Sequence, residues 1–229
     1  MTIETPEIIR SVIADLKPKL KVKSVVADGD YFKAFVCKSY YLAKGAIVVI
    51  NSETYEVKDA KSNDYVILDK TIAVGEYELP AMYYKHGSIL QTSAELQTVS
   101  SDMYAITPMA YLRRPIREDF QLGDSAIDRN ADITIFFLTQ ANFNEWETEE
   151  HDSNAVVPMR NMAYAFIDLV NKKRDLFTEV KEFTLEDRIK FGVVSDLGVQ
   201  DKAYFNIMLS GVQLDINLGI KKNENCNCK

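Results

Sequence analysis

Residues 131–140 read ADITIFFLTQ, and the architecture of the chain follows from how that run is covered. Ile133, Ile135 and Phe137 alternate with Thr134, Phe136 and Leu138, so both faces of an extended strand here are almost wholly apolar. A strand apolar on both faces is normally covered on both faces. The cover comes either from the chain's own helices or from another subunit. The stretch around it, residues 106–170, reads as strand, turn, strand, acidic loop and helix. It gathers none of the groups that a catalyst needs.

Working outward, residues 105–112 form the preceding strand, and residues 113–130 connect the two through Gly123, Asp124 and Ser125 as loop formers. Residues 142–152 read as a polar loop. A helix follows over about 155–173, with Met159, Met162, Ala163, Phe166, Ile167, Leu169 and Val170 on its apolar face. Asp152, Ser153 and Asn154 offer caps, and Pro158 implies either a start there or a kink. Further on, residues 188–194, 203–209 and 212–220 read as strands, with a turn over 196–201. In the last strand Leu214, Ile216, Leu218 and Ile220 alternate with Gln213, Asp215, Asn217 and Gly219, the pattern of one wet face.

At the amino terminus Thr5 is a natural N-cap, and Pro6 sits where its missing N–H costs nothing. Ile8, Ile9, Val12, Ile13 and Leu16 share one helical face, and Pro18 ends the helix. Lys17, Lys19, Lys21 and Lys23 follow as a solvated basic strip. From 24 to 84 the texture changes to short strands and turns, with Asp28-Gly29-Asp30 as a hairpin signal. Strands this short and close suggest a small β-barrel or curled meander. Residues 78–84, with Pro80, read as an edge or exit strand. Residues 88–101 read as an extended arm or a strand.

The 229 residues, 47% hydrophobic, suffice for one domain or one domain plus a small insert. No apolar run approaches the ~20 residues that cross a bilayer, and the first residues do not read as a signal peptide. With 27 basic and 34 acidic side chains the net charge is -7, a poor match for generic nucleic-acid binding. Like charge still permits DNA to pass without being gripped. The three cysteines, Cys37, Cys226 and Cys228, have no framework spacing, which fits a reducing compartment.

Candidate chemistry is sparse. His86 and His151 are the only histidines, and neither has a nucleophile motif beside it. Both read as surface or hydrogen-bonded side chains. There is no phosphate-cradling glycine loop and no HExxH. Cys226-x-Cys228 supplies two ligands at a frayed end, which do not close a tetrahedral metal site. The acidic run Glu145, Glu147, Glu149, Glu150 and Asp152 lacks the glycine turn of a calcium loop. It reads as a solvated loop or a docking surface for a basic partner. Trp146, the single tryptophan, lies inside this run, either as a cover on the core or as an interface anchor. Arg113, Arg114 and Arg117 close the strand after Met109. They pair locally with Glu118 and Asp119, or with a neighbour's acidic loop. The interface candidates are therefore Arg113, Arg114, Arg117, Glu145, Trp146, Glu147, Glu149 and Glu150. No catalytic, cofactor-binding or metal-binding residue is assigned, and the chain reads as a non-enzyme.

The succession PMAYLRRPIREDF (108–120), ADITIFFLTQAN (131–142), VVPMRNMAYAFIDLV (156–170) and FNIMLSGVQLDINLGI (205–220) resembles phage tail-terminator and tail-completion (neck) proteins, including forms from phages of Bacteroidetes. The shared order is a proline-led apolar strand ending in a basic and acidic stretch, an apolar strand, a helix with an internal proline, and a final strand alternating L-x-I-x-L. The resemblance covers residues 106–220 with the first helix. The β-rich lobe departs from the smallest members. The resemblance implies an α+β fold, a mixed or antiparallel sheet packed by helices, with a small inserted β-rich lobe. It divides the chain into a tail-terminator-like core (1–23 and 88–221), the lobe (24–87) and a disordered tail (222–229). It also implies a homo-oligomeric ring, typically a hexamer, that caps the tail tube and meets the head connector or neck proteins. The expected location is the virion, after assembly in the host cytoplasm. DNA passes through without sequence-specific binding, and neither cofactor nor membrane is involved. The rival expectation is a monomeric or dimeric binding module whose β-lobe takes a glycan, peptide or protein on Tyr31, Phe32, Tyr40, Tyr41, Tyr83 and Tyr84.

Overall fold

The computed structural model describes residues 4–61, 63–92, 107–121, 127–141, 146–194, 202–203 and 208–221. The expected loop formers Gly123, Asp124 and Ser125, most of the 88–101 arm, the 196–201 turn, and the 222–229 tail with Cys226 and Cys228 lie outside the described residues.

Helix α1 (Thr5–Asp15) buries Ile8, Ile9, Val12 and Ile13, the face its spacing predicts. The N-cap is Glu4 rather than Thr5, and Thr5 is the first helical residue. The Thr5 side chain is fully buried, and its hydroxyl donates to the Glu118 carboxylate. From inside the helix that hydroxyl serves a charged acceptor on the second sheet rather than a cap. The expected basic strip is part of a strand. In β1 (Lys19–Asp28), Lys19 and Lys21 point to solvent while Leu20 and Val22 are buried, a period of two.

β1 joins β2 (Tyr31–Val36), β3 (Ile47–Ile50), β4 (Glu53–Lys61), β5 (Tyr65–Leu68) and β6 (Gly75–Glu78) in a near-closed antiparallel sheet ordered β3-β4-β5-β2-β1-β6. Gly29, at φ +61°, makes the β1–β2 turn in a backbone region that glycine enters without penalty. The expected exit strand over 78–84 is two strands in two sheets. β6 ends at Glu78 and β7 (Tyr83–Gly87) begins after Pro80. Pro80 cannot donate to a ladder, and buried Leu79 and Met82 anchor the crossing.

The second sheet contains β7, β8 (Met109–Arg113), β9 (Arg117–Phe120), β10 (Ile127–Gln140), β11 (Phe183–Phe191) and β14 (Leu209–Lys221). Its order is β11-β14-β10-β8-β7, with β9 also on β10. Among the described residues only the β7–β8 pair is parallel, so the sheet is mixed. β12 (Val193–Val194) and β13 (Lys202–Ala203) form a separate short pair. The strand expected over 188–194 therefore begins earlier, at Phe183. At Gly211 the β14 backbone comes so close to β10 that a Cβ would lie 2.0 Å from the Phe137 carbonyl oxygen.

Helix α2 spans 148–172, 25 residues, and crosses one face of this sheet. It begins well before the expected start near 155, because Thr148–His151 is already α-helical. Asp152–Val156 is a π turn, and Val157–Lys172 continues as α-helix. The π turn explains how Pro158 is carried without a break. A wider turn absorbs the residue that has no N–H to give, and the Val157 N–H donates to the Asp152 carbonyl.

One hydrophobic cluster runs from the barrel interior (Val36, Val57, Leu68) past Ile9 and Ile13 of α1 to Phe166 of α2 and Leu214 of β14. The Phe137 and Phe166 rings, 5.9 Å apart, mark the helix–sheet seam. On the opposite face, Phe136 and Leu138 cluster with Met109, Tyr111, Phe191 and Leu209. Phe136 is 3% exposed and Leu138 fully buried within a single chain, so the doubly apolar strand is covered by its own chain. The wet face of β14 is narrower than its alternation suggests, since Gln213 is buried and only Asn217 is fully exposed. Among the described residues no helix is long and apolar enough to cross a membrane.

Candidate functional site

The residues singled out in the sequence fall at two separate places along the second sheet. β8 pairs with β10 so that Leu112 faces Ile135, which sets Arg113 and Arg114 beside the middle of β10. The parallel β7–β8 pairing then lines Lys85, His86 and Gly87 up with Tyr111, Leu112 and Arg113. Arg10 reaches in from α1, its guanidinium 5.7 Å from the Tyr84 ring, which in turn lies 5.9 Å from the His86 ring. The result is a basic end built from α1, β7 and β8. Burial lowers the His86 pKa, and Arg114, Arg10 and Lys85 lower it further, against the opposing pull of Glu7. Arg10 pairs with Glu7 at 3.0 Å. Arg113 and Arg114 are exposed and make no ion pair among the described residues. Arg117 lies on β9 and pairs with Asp119 at 3.4 Å.

The acidic group lies beyond the carboxyl end of β10. From Ile135 to the strand end at Gln140 is roughly 17 Å of extended chain, and no ion pair joins the two groups among the described residues. Glu145 lies outside the described residues. The expected acidic loop is instead the first turn of α2. Glu147 is its N-cap, and the Glu147 N–H donates to Glu150 Oε2 at 3.0 Å in a reciprocal capping box. Two of the candidate carboxylates are thus engaged locally, and the exposed Glu149 is left facing solvent. Trp146 is half-buried and stands edge-on to His151 at 5.4 Å. His151 is 2% exposed, not a loop histidine, and Ser210 of β14 lies 3.2 Å from its Nδ1.

The third feature is the wet part of the sheet face opposite α2. Thr134 and Gln213 each donate to one oxygen of Asp215, both at 2.5 Å. Arg188 donates to Gln213 Oε1 at 2.8 Å, and Asn217 donates to Asp132 Oδ1 at 2.5 Å. These bonds make a polar ladder across β10, β14 and β11. Beside it is an open depression of about 550 Å³ whose lining includes Asp132, Glu182 and Asp215 and no cation. It is too open to enclose a small molecule. Among the described residues no group of three His, Cys, Asp or Glu side chains is placed to hold a metal ion.

The aromatic residues named as a binding face divide between the two sheets and the turn before β3, with Tyr31 and Phe32 on β2 and Tyr83 and Tyr84 on β7. Tyr41 is buried, and its hydroxyl donates to the Pro80 carbonyl at 2.7 Å. Tyr84 donates to the Pro6 carbonyl at 2.8 Å, and burial raises its pKa. Tyr31 stays 42% exposed. On the same outer surface lie Lys33, Phe35 and Tyr65, with the Lys33 ammonium 3.8 Å from the centre of the Tyr65 ring. Sequence reading passed over Lys33 and Tyr65, because only the β2–β5 pairing brings them together. It likewise passed over Arg10 and Lys85, whose meeting depends on the β7–β8 crossover. The chain matches no protein-family model, and no curated protein matches it.

Proposed function

We propose that the chain is a structural virion subunit that forms a ring at the top of a phage tail, caps the tail tube and joins it to the head connector. The observation that carries this reading is the split of charge. Arg113 and Arg114 stand exposed at the carboxyl end of β8, beside the middle of β10, and make no ion pair among the described residues, while Glu149 stands exposed beyond the carboxyl end of β10. Complementary groups held apart on one subunit cannot satisfy each other, but they meet when copies associate head to tail, the contact that closes a ring. The acidic depression with Asp132 and Asp215 suits a surface that DNA passes without adhering. The partners on this reading are further copies of the chain, the tail tube protein, and connector or neck proteins. A different position in the neck uses the same contacts.

The test is the mass of the purified protein and its image by cryo-microscopy, with and without isolated tail tubes. Rings that cap tubes are expected. The double variant Arg113→Glu with Arg114→Glu should dissociate them, and adding Glu149→Arg should restore them in part. Monomers that stay monodisperse at high concentration and ignore tail tubes would sink the reading.

The outer face of the β-lobe favours a second reading, a binding module for a glycan or protein. There Lys33 lies over the Phe35 and Tyr65 rings, and Tyr31 on the same face of β2 carries Lys58. A ligand that raises the melting temperature of wild type but not of Tyr31→Ala would support it.

A further inference from the structure

The start of α2 is fastened to the sheet through one histidine. Ser210 Oγ accepts the backbone N–H of Lys190 at 3.1 Å. Its own hydrogen is then free to point at His151 Nδ1, 3.2 Å away. Accepting at Nδ1 fixes the tautomer, with the ring proton on Nε2 and the imidazole neutral. The contact links three elements: α2 through His151, β14 through Ser210, and β11 through Lys190, whose backbone sits at φ +55°. It lies one residue before the π turn and directly beneath Trp146.

We propose that His151 is a proton-operated clasp. Protonation at Nδ1 removes the acceptor that Ser210 uses and frees the turn carrying Trp146 and the acidic side chains from β14 and β11. A protonated Nδ1 is a donor, which the Ser210 oxygen can take on its second lone pair beside the Lys190 N–H only by turning its own hydrogen, in a fully buried site, away from the acceptor it had. The charged ring would also be held in a site that is 2% exposed. Burial is the main influence holding the imidazole neutral. The ammonium of Lys190 from β11 acts the same way, while Asp152 and Glu150 from α2 itself oppose it. β14 presents the uncharged Ser210, and its register partner on β10, Thr139, is uncharged too. This device does not depend on ring formation.

The single tryptophan reads it directly, because Trp146 is the ring in edge contact with His151. Tryptophan emission is followed from about pH 8 to about pH 4, a span that covers imidazole titration, together with amide hydrogen exchange over residues 147–152. One transition is expected, with its midpoint below the ordinary histidine value of 6.5. Protection, the intrinsic rate at each pH divided by the observed rate, should fall roughly tenfold or more through it, as a local opening requires. His151→Gln keeps an acceptor for Ser210 without a titrating proton and should abolish both changes. Ser210→Ala removes the donor to Nδ1 and should move the midpoint upward. A wild-type midpoint at or above 6.5, a transition that survives in His151→Gln, or an emission change without a fall in protection overturns the proposal.

Discussion

Arg129 Nε donates to Glu118 Oε1 at 2.8 Å across the β9–β10 seam, with the guanidinium side chain only 3% exposed. The same nitrogen lies 3.2 Å from Thr5 Oγ1, and Nη1 donates to Asp128 at 2.5 Å. This knot ties the start of α1 to the second sheet. Removing Glu118 takes away one of the two carboxylates on Arg129 and the acceptor of the Thr5 hydroxyl while Asp128 stays in place, and losing hydrogen bonds to a charged group costs about 1.5–3 kcal/mol. Glu118→Leu is therefore expected to lower the urea midpoint by that equivalent with an unchanged slope.

Glu149 and Glu150 are neighbours in sequence with different work. Glu150 closes the capping box, so Glu150→Ala should cost about 1 kcal/mol of stability. Glu149 has no such bond, and Glu149→Ala should stay within about 0.5 kcal/mol of wild type. If copies associate through Glu149 as proposed, the order reverses there, and Glu149→Ala should weaken association more than Glu150→Ala. Chemical denaturation and sedimentation read the two effects separately.

Gly211→Ala puts a Cβ 2.0 Å from the Phe137 carbonyl oxygen, where only a shift of β14 against β10 makes room. A loss of about 3 kcal/mol or failure to fold is expected, the upper range for overpacking. Gly45→Ala meets no atom within 4 Å and faces only the backbone strain of φ +82°. Its cost should stop at about 1–2 kcal/mol. Thermal melts of the two variants separate steric from conformational constraint.

His86 gives a pH dependence with a definite sign. Its folded pKa lies below the ordinary 6.5, through burial first and then Arg114, Arg10 and Lys85. Between the folded value and 6.5 the unfolded chain binds the extra proton. Stability is thus full above that window and falls as pH drops through it. Below the folded pKa both states are protonated and the His86 contribution stops changing. Arg114→Ala should raise the His86 midpoint, read by the ring proton shifts in NMR, and narrow the window without closing it, since burial remains.

Trp146→Ala removes an edge-on contact with the His151 ring. Such aromatic pairs contribute about 1 kcal/mol beyond burial. A modest fall in monomer melting temperature is expected, with a clearly larger loss of ring formation if the half-exposed side of the indole meets a neighbour. A loss confined to monomer stability would assign Trp146 to intrachain packing alone.

Most of the regular elements were readable in the residues. The apolar spacing of Ile9, Val12 and Ile13 located α1, the Asp28-Gly29-Asp30 turn located the first hairpin, and the alternation from Leu214 to Ile220 located the last strand. Local periodicity carries such features because each depends on neighbours within a turn or a strand. The first seven or so residues of α2 were not readable. Glu147 to Asp152 are polar enough for a loop, and they become helical through the capping box and the docking of His151 on Ser210, 59 residues away in sequence. The candidate interface was half legible. Runs of like charge stood out, but the pairing that assembles Arg10, Lys85, Arg113 and Arg114 did not, nor did the capping that engages Glu147 and Glu150.

By itself the amino-acid sequence determined the strand at residues 131–140 with two apolar faces, the amphipathic helices and the lack of any recognisable catalytic motif, since these depend on side-chain type and spacing alone. Only the tertiary structure decided what covers that strand: α2 on one side, and on the other a cluster with Tyr111, Phe191 and Leu209. The physical reason is that burial is a property of contacts between distant segments. A hydrophobic face states that it will be covered, and the path of the rest of the chain settles by what.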